Sequence, residues 1–291
     1  MLGGFAKRLE PDAHLLLDVR NGRVQGIALS PVEAARLELQ VETSLGRTSI
    51  RVGQSLLRET DKTVQPGVTG SDPRGSALFA TWDEDGERWF SYSRDGGDSW
   101  AESRSLRTGM KLLAGEVLPG AAMPAVGDGF TLPASGRLFL VQFKTIGLPE
   151  WRSALEDMGA EVLSHVPHNS HVVRVGAAGL PRIRALDFVE RVEPYHPWYR
   201  LHPELQEAVL DRQQGSEPER IRVLSMEWGA AGKAGILEAA ERLGATVAEY
   251  WPSGHVLELW ATHDQIRRLA SHDDVLWIDR WSAPENDMDL V

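Results

Sequence analysis

The chain has 291 residues, a formal net charge of −11 and no cysteine. Its length allows two or three compact domains. The absence of cysteine excludes disulfides, thiolate metal ligands and a cysteine nucleophile. The negative charge disfavours nucleic-acid binding, because neutralising phosphates requires clustered Lys and Arg. No apolar run reaches the length needed to span a membrane.

The first eleven residues carry Lys7 and Arg8 but no apolar core of signal-peptide length after them. We therefore expect a cytoplasmic location by default. Export remains open if a signal was removed from this chain.

Two hairpin signals lie in the first third of the chain. Asn21-Gly22 separates two apolar runs, and Asp85-Gly86 separates two aromatic runs. Both dipeptides tolerate the positive φ angles of tight hairpin turns. Between the hairpins, Ser30-Pro31 predicts the start of a helix that continues to Gln40. We predict a β-rich N-terminal domain over residues 1–130. Its last part, from Gly109 to Pro133, is rich in Gly and Pro and is expected to be a connector.

Directly after the second hairpin comes a short polar motif that ends in tryptophan. It resembles the Asp-box of sialidase-type β-propeller blades, Ser-x-Asp-x-Gly-x-Ser/Thr-Trp, at Ser93, Asp95, Gly97, Ser99 and Trp100. The Asp carboxylate can accept backbone N–H groups of the turn, and Trp can pack beneath it. The resemblance implies a structural role. Only one copy is legible, whereas a propeller needs several blades, so a sialidase-like enzyme is the weaker alternative.

The second half contains an internal repeat, residues 137–195 and 222–280. Gly159-Ala160-Glu161-Val162 in the first copy matches Gly244-Ala245-Thr246-Val247 in the second. Each copy predicts the order strand, helix, strand, strand, helix, strand. The fold class predicted is α+β: the β-rich domain is followed by two tandem ferredoxin-like (βαββαβ) modules, at 136–205 and 219–291. The tryptophans of the repeat are interpreted as core side chains: Trp151, Trp251, Trp260 and Trp277.

The repeat resembles the pro-domain of subtilisin-type serine proteases, also classed as a propeptide-type peptidase inhibitor. The similarity rests on an opening strand, Gly-Ala-x-Val after the first helix, a turn with Pro, and a closing Val-x-x-Val/Ile-Asp/Glu. That closing motif occurs at Val189–Glu193 and at Val275–Asp279. The family has one such module where this chain has two, and no protease domain follows here.

The resemblance implies a mechanism and a partner. Such a module lays its sheet on a subtilisin-like protease, assists its folding and inhibits it, while a C-terminal tail enters the substrate cleft in extended form. The partner would be attached in cis or separate in trans. The tail would be Pro284, Glu285, Asn286, Asp287, Met288, Asp289, Leu290 and Val291.

No catalytic residue or cofactor is predicted. The subtilisin signatures Asp-Ser/Thr-Gly, His-Gly-Thr-His and Gly-Thr-Ser-Met-Ala are missing, as is Gly-x-Ser-x-Gly. We therefore expect a non-catalytic pro-region, with a free-standing inhibitor acting in trans as the alternative.

The sequence allows three further functions to be considered: metal binding, RNA binding and binding of a small regulatory molecule. His165, His168 and His171 could bind zinc, but turn histidines facing solvent are the better interpretation, so no metal site is predicted. RNA binding is disfavoured because residues 221–291 hold six Lys and Arg against twelve Asp and Glu, a balance of 6 − 12 = −6. A ferredoxin-like module that binds a small regulatory molecule stays open, although no residue pattern marks its pocket.

Overall fold

The computed structural model describes residues 14–20, 23–29, 38–113, 115–133, 137–210 and 217–282. Within these ranges, the chain divides into two compact units. The first contains residues 1–107, 144–154 and 186–188, and the second contains residues 108–143, 155–185 and 189–291. No helix in the described ranges is both long and apolar enough to cross a membrane.

The first unit is built from three antiparallel sheets, β1-β2, β3-β4-β5 and β6-β7-β8-β9. The two predicted hairpins are confirmed, since β1 pairs with β2 and β7 pairs with β8. The predicted helix up to Gln40 lies largely outside the described residues, and its last two positions begin β3. The strands are β1 (His14–Arg20), β2 (Arg23–Leu29), β3 (Leu39–Ser44), β4 (Arg47–Val52), β5 (Ser55–Thr60), β6 (Val64–Ser71), β7 (Leu78–Glu84), β8 (Glu87–Ser93) and β9 (Arg104–Ser105).

The core of the first unit is aromatic. Trp82 is fully buried with Ile50, Val52 and Ala80. A second buried tryptophan, Trp151, stacks on Phe188 with ring centroids 4.5 Å apart and meets Phe79 edge-on at 6.0 Å. Segments 144–154 and 186–188 therefore bury their aromatic side chains, Trp151 and Phe188, within the first unit.

The second unit begins with a hairpin, β10 (Met110–Leu112) and β11 (Gly115–Val117), and contains two four-stranded antiparallel sheets. The first sheet has the order β13-β14-β12-β15, and the second has the order β17-β18-β16-β19. The remaining elements are β12 (Leu138–Phe143), α1 (Pro149–Asp157), β13 (Glu161–Val166), β14 (Ser170–Arg174), α2 (Leu180–Arg184), β15 (Val189–Pro194), the 3-10 helix Pro197–Arg200, α3 (Pro203–Leu210), β16 (Glu219–Ser225), α4 (Gly229–Leu243), β17 (Thr246–Tyr250), β18 (Val256–Ala261), α5 (His263–Ala270) and β19 (Val275–Arg280).

Both sheets of the second unit share one hydrophobic core. It joins Leu140 and Val172 of the first sheet to Val223 and Leu259 of the second. The predicted connector also takes part: its hairpin and the residues after it add Met110, Leu112, Val117 and Phe130 to this core. The segment predicted to have little regular structure therefore belongs to the packed interior of the second unit.

The predicted fold class, a β-rich domain followed by two tandem ferredoxin-like modules, is wrong. The chain is 41% strand and 21% helix, with the strands spread over several small antiparallel sheets. Residues 144–154 and 186–188 of the first predicted module belong to the first unit, and the rest of that module shares the second unit with the second copy. The order of elements along the chain does not reveal which core each apolar side chain joins, because cores form between segments distant in sequence.

Candidate functional site

The residues predicted from the sequence to matter for function belong to three separate segments of the chain. The tail from Pro284 to Val291 lies outside the described residues. Ser93 of the Asp-box motif is the last residue of β8, and its other four residues lie between β8 and β9 of the first unit.

The Asp-box turn is held together by the Asp95 carboxylate. It accepts hydrogen bonds from Ser93 Oγ at 2.7 Å, from the Ser99 N–H at 2.9 Å and from Ser99 Oγ at 2.5 Å. Gly97 has a φ of 100° and donates its N–H to Ser93 Oγ. The hydrogen bonds from Ser99 are the main reason that the pKa of Asp95 lies well below its usual range. Since Trp100 packs on the core of the first unit, this geometry stabilises a turn and offers no reacting group.

The three histidines considered for metal binding lie on and between β13 and β14. The rings of His165 and His171 meet edge-on across these strands with centroids 5.3 Å apart, and His171 packs beside Phe143 at 5.5 Å. Over the ranges that the structure describes, no group of three or more His, Asp or Glu side chains could hold a metal ion.

A buried lysine near the second sheet is fully engaged. Lys233, on α4, donates from Nζ to the carbonyl oxygens of Trp251 at 2.5 Å, Ser253 at 3.0 Å and Gly254 at 3.0 Å. Burial lowers the pKa of this amine from its usual value. Because all three ammonium donors are taken, Lys233 fixes the turn between β17 and β18 and is not available as a nucleophile.

The second sheet has one buried face and one open face. Along β16, Ile221, Val223 and Ser225 are buried, whereas the alternate residues are only partly buried. Along β18, Leu259 is fully buried while its neighbour Trp260 is 44% exposed. Side chains alternate between the two faces of a strand, so these alternate positions share one face. We define the open face by its residues: Arg220, Arg222, Leu224, Glu249, Val256, Glu258, Trp260, Trp277, Asp279 and Trp281. The face is open only in part, because Glu258 is 5% exposed and Leu224 and Trp277 pack against the core.

The first row of the open face is aromatic. Trp260 pairs with Arg220 across β18 and β16. The Arg220 guanidinium lies 4.4 Å from the centre of the Trp281 ring, on the other side. Cation–π contact with Trp281 therefore holds the Arg220 guanidinium, and Trp260 lies beside Arg220 on the neighbouring strand.

The middle row of the open face is ionic. Arg220 contacts Glu258 at 2.6 Å and Glu249 at 3.0 Å, and Arg222 lies 3.5 Å from Asp279. Burial raises the pKa of Asp279 above its usual value, and Arg222 opposes that shift. The charges of this row are therefore paired within the sheet.

The third row is apolar. Leu224 pairs with Val256 on one side and with Trp277 on the other. Leu224 and Trp277 are partly buried against the core of the second unit. The open face thus combines three tryptophans, two arginines and aliphatic side chains.

The corresponding face of the first sheet is covered. Leu138, Leu140 and Val172 lie in the same core as the β10–β11 hairpin. The cover is hydrogen-bonded to the sheet: Gln142 Nε2 donates to the Thr108 carbonyl at 2.8 Å, and the N–H of Lys111 donates to the Pro167 carbonyl at 2.6 Å. A partner therefore cannot reach this face without displacing residues 108–133.

The sequence interpretation missed the open face. The sequence predicts Trp260 and Trp251 to be core residues, but they are 44% and 42% exposed. The alternation of Leu257, Glu258, Leu259 and Trp260 could have indicated this exposure, because it places Trp260 on the same face of the strand as Glu258 and opposite the two leucines. Trp151 is buried as expected, but in the first unit.

Comparison with known proteins gives one family match. Residues 111–196, from β10 to the end of the first predicted copy, match a family model described as Domain of unknown function (DUF8729). This segment is less than half of the chain. No curated protein and no solved structure matches the chain. A function therefore has to be argued from the geometry described above.

Proposed function

We propose that this chain is a non-catalytic inhibitor and folding aid of a subtilisin-like serine protease, attached to it in cis as a pro-region or acting in trans. The observation that carries the proposal is the open face of the second sheet. The identity of the partner rests on the sequence resemblance of the two copies to protease pro-domains.

The composition of the open face suits a protein partner. Tryptophan and arginine are enriched at protein interfaces and among the residues that contribute most to affinity. Trp260 and Trp281 flank Arg220, and Glu258 and Glu249 pair with the same guanidinium. Both arginines of the face are ion-paired, so a partner can cover them without leaving a positive charge unpaired, which would otherwise oppose binding.

The two sheets have different roles in this proposal. The covered face of the first sheet is engaged with residues of the same chain, so the protease would contact only the second sheet. The residues that follow β19 would extend from this sheet toward the substrate cleft, as the resemblance implies.

Inhibition of a purified subtilisin-type protease tests the proposal. The full chain is titrated against hydrolysis of a chromogenic peptide, and in parallel it is added to refolding protease. We expect saturable inhibition and a higher refolding yield. Changing Trp260→Ala together with Trp281→Ala should weaken inhibition by about tenfold or more, the loss typical of central interface tryptophans. Truncation before Pro284 should remove most of the inhibition.

Trp228→Ala is the matched control. Trp228 is 67% exposed, but it precedes α4 and is not part of the open face, so its loss should leave inhibition unchanged. Equal losses in this control and in the double variant would show that the open face is not the contact. A full chain without effect on hydrolysis and on refolding would refute the proposed function.

A further inference from the structure

A cavity lies along the outer edge of the first sheet, away from the open face. It has a volume of about 440 Å³ and is lined by residues 119–120 of the connector, Gln142, Arg184 of α2 and residues 189–193 of β15. Ligand pockets typically have volumes of about 300–1,000 Å³. The cavity is therefore large enough for a small ligand or a short piece of polypeptide.

One wall of the cavity is an edge strand. β15 is the last strand in the order β13-β14-β12-β15, so it has a neighbour on one side only. The Tyr195 N–H donates to the Leu138 carbonyl, and hydrogen-bonded positions alternate along an antiparallel pair. The backbone N–H and C=O groups of Arg191 and Glu193 therefore point toward β12, whereas those of Val192 point outward from the sheet. An outward N–H and C=O pair is what an added strand would use.

The charges in the cavity are only partly satisfied. Arg191 contacts Glu193 at 3.2 Å and also donates to the Ala121 carbonyl, so it is engaged. Arg184 is exposed, and its guanidinium forms no ion pair or hydrogen bond with any residue in the described ranges. Glu190 also lines the cavity and repels an anion. Of the two lining arginines, Arg184 is therefore the one whose guanidinium is free to bind a carboxylate in bidentate fashion.

Two valines are among the residues that line the cavity. Val189 and Val192 are buried, at 6% and 8% exposure. A ligand that fits must combine main-chain amide groups for Val192, a carboxylate for Arg184 and at least one small apolar group. An extended peptide with an acidic residue has all three, whereas a free carboxylic acid lacks the amide pattern.

We propose that this cavity binds an extended peptide segment carrying a carboxylate, which adds a short strand to β15 and places its acidic group on Arg184. The site is separate from the open face, and the proposal does not depend on the protease hypothesis.

Calorimetric titration of the full chain tests this proposal with defined probes. The main probe is the blocked pentapeptide acetyl-Val-Thr-Val-Asp-Val-amide. The second has Asn in place of Asp, the third is N-methylated on alternate backbone nitrogens, and the fourth is N-acetylaspartate. We expect saturable binding of the first probe and at least fivefold weaker binding of the other three, because each lacks the charge or the backbone donors.

Arg184→Gln and Arg182→Gln form a matched pair of variants. Both residues are exposed on α2, but only Arg184 lines the cavity. Arg184→Gln should remove the preference for Asp over Asn, and Arg182→Gln should preserve it. The proposal is refuted if the Asp peptide shows no saturable binding at millimolar concentration. It is equally refuted if the N-methylated peptide or N-acetylaspartate binds as tightly as the Asp peptide, since strand addition would then not be the mode of binding.

Discussion

The two four-stranded sheets of the second unit carry different side chains at matching positions. Each first strand has one register shift, between Gln142 and Phe143 in β12 and between Leu224 and Ser225 in β16. When these shifts are aligned, Leu140 of the first sheet matches Arg222 of the second. Their partners on the neighbouring strand match as well: Val172 pairs with Leu140, and Glu258 pairs with Arg222.

This difference explains why one face is covered and the other is open. Leu140 and Val172 are fully buried, in the same core as Met110 and Phe130. Apolar side chains at these positions are stabilised by a cover, because each buried CH₂ group contributes about 0.8 kcal/mol. At the same positions of the second sheet, Arg222 pairs with Asp279 at 3.5 Å and keeps 34% of its side chain exposed. Glu258 is buried, but its carboxylate pairs with Arg220 at 2.6 Å. Side-chain type at a few sheet positions therefore accounts for the difference between the two faces.

The comparison of the two sheets requires that both belong to one folded unit. The largest expected effect on this unit comes from replacing Arg200, which contacts both copies. Its guanidinium is 2% exposed. It donates to Tyr195 O at 2.8 Å, just after the first sheet, and to Ala270 O at 3.1 Å and His272 O at 2.9 Å in the second copy. We expect Arg200→Ala to lower the free energy of unfolding by about 3–5 kcal/mol, because three carbonyl oxygens lose their donor inside the protein. Urea denaturation followed by tryptophan fluorescence measures the loss.

Arg242→Ala is the control for this prediction, since Arg242 is exposed on α4 of the same unit. Its effect should stay within about 0.5 kcal/mol. If the two variants were equally stable, Arg200 would not join the two copies.

The second prediction concerns the covered and open faces directly. Leu140→Ala should lower the free energy of unfolding by about 3 kcal/mol, because it leaves a cavity beneath the hairpin cover. At the matching position, Arg222→Ala should cost no more than about 1 kcal/mol, since its partner Asp279 is partly solvent-exposed. The same urea denaturation measures both. Comparable losses would mean that the second sheet is also covered in solution.

Local parts of the fold could be predicted from the sequence. The hairpins around Asn21-Gly22 and Asp85-Gly86 are confirmed, because their turn residues and apolar runs are adjacent in the chain. The helix predicted before Gly244 in the second copy is α4, and it ends at this glycine, which has a φ of 76°.

The arrangement of these parts could not be predicted in the same way. The composition of residues 109–133 is typical of a loop, and nothing in it shows that Met110 and Phe130 pack on a sheet that follows later in the chain. The split of the first copy between two units depends on the contact of Trp151 with Phe79, residues distant in sequence. For the candidate site, the phase of Trp260 relative to Glu258 was available, but a single tryptophan in a strand is most often interpreted as core.

The smallest predicted effect concerns the charge of Asp279 on the open face. Its pKa is raised by burial, so the folded protein binds this proton more tightly than the unfolded chain does. Stability from this group is therefore present at acidic pH and is lost as pH rises through the raised pKa. At neutral pH the carboxylate opposes folding, and Asp279→Asn removes that cost. We expect a gain below about 1 kcal/mol at neutral pH, because the group is only half buried, and no gain at about pH 3.

Glu193→Gln is the matched control for Asp279→Asn. Glu193 pairs with Leu140 on the first sheet as Asp279 pairs with Arg222 on the second, and it contacts Arg191 at 3.2 Å. Removing its charge breaks an ion pair and should give no gain at any pH. Urea midpoints of both variants and of the unchanged chain across this pH range measure the difference. A loss of stability for Asp279→Asn at neutral pH would show that attraction to Arg222 outweighs burial. The ionic row of the open face would then itself stabilise the fold.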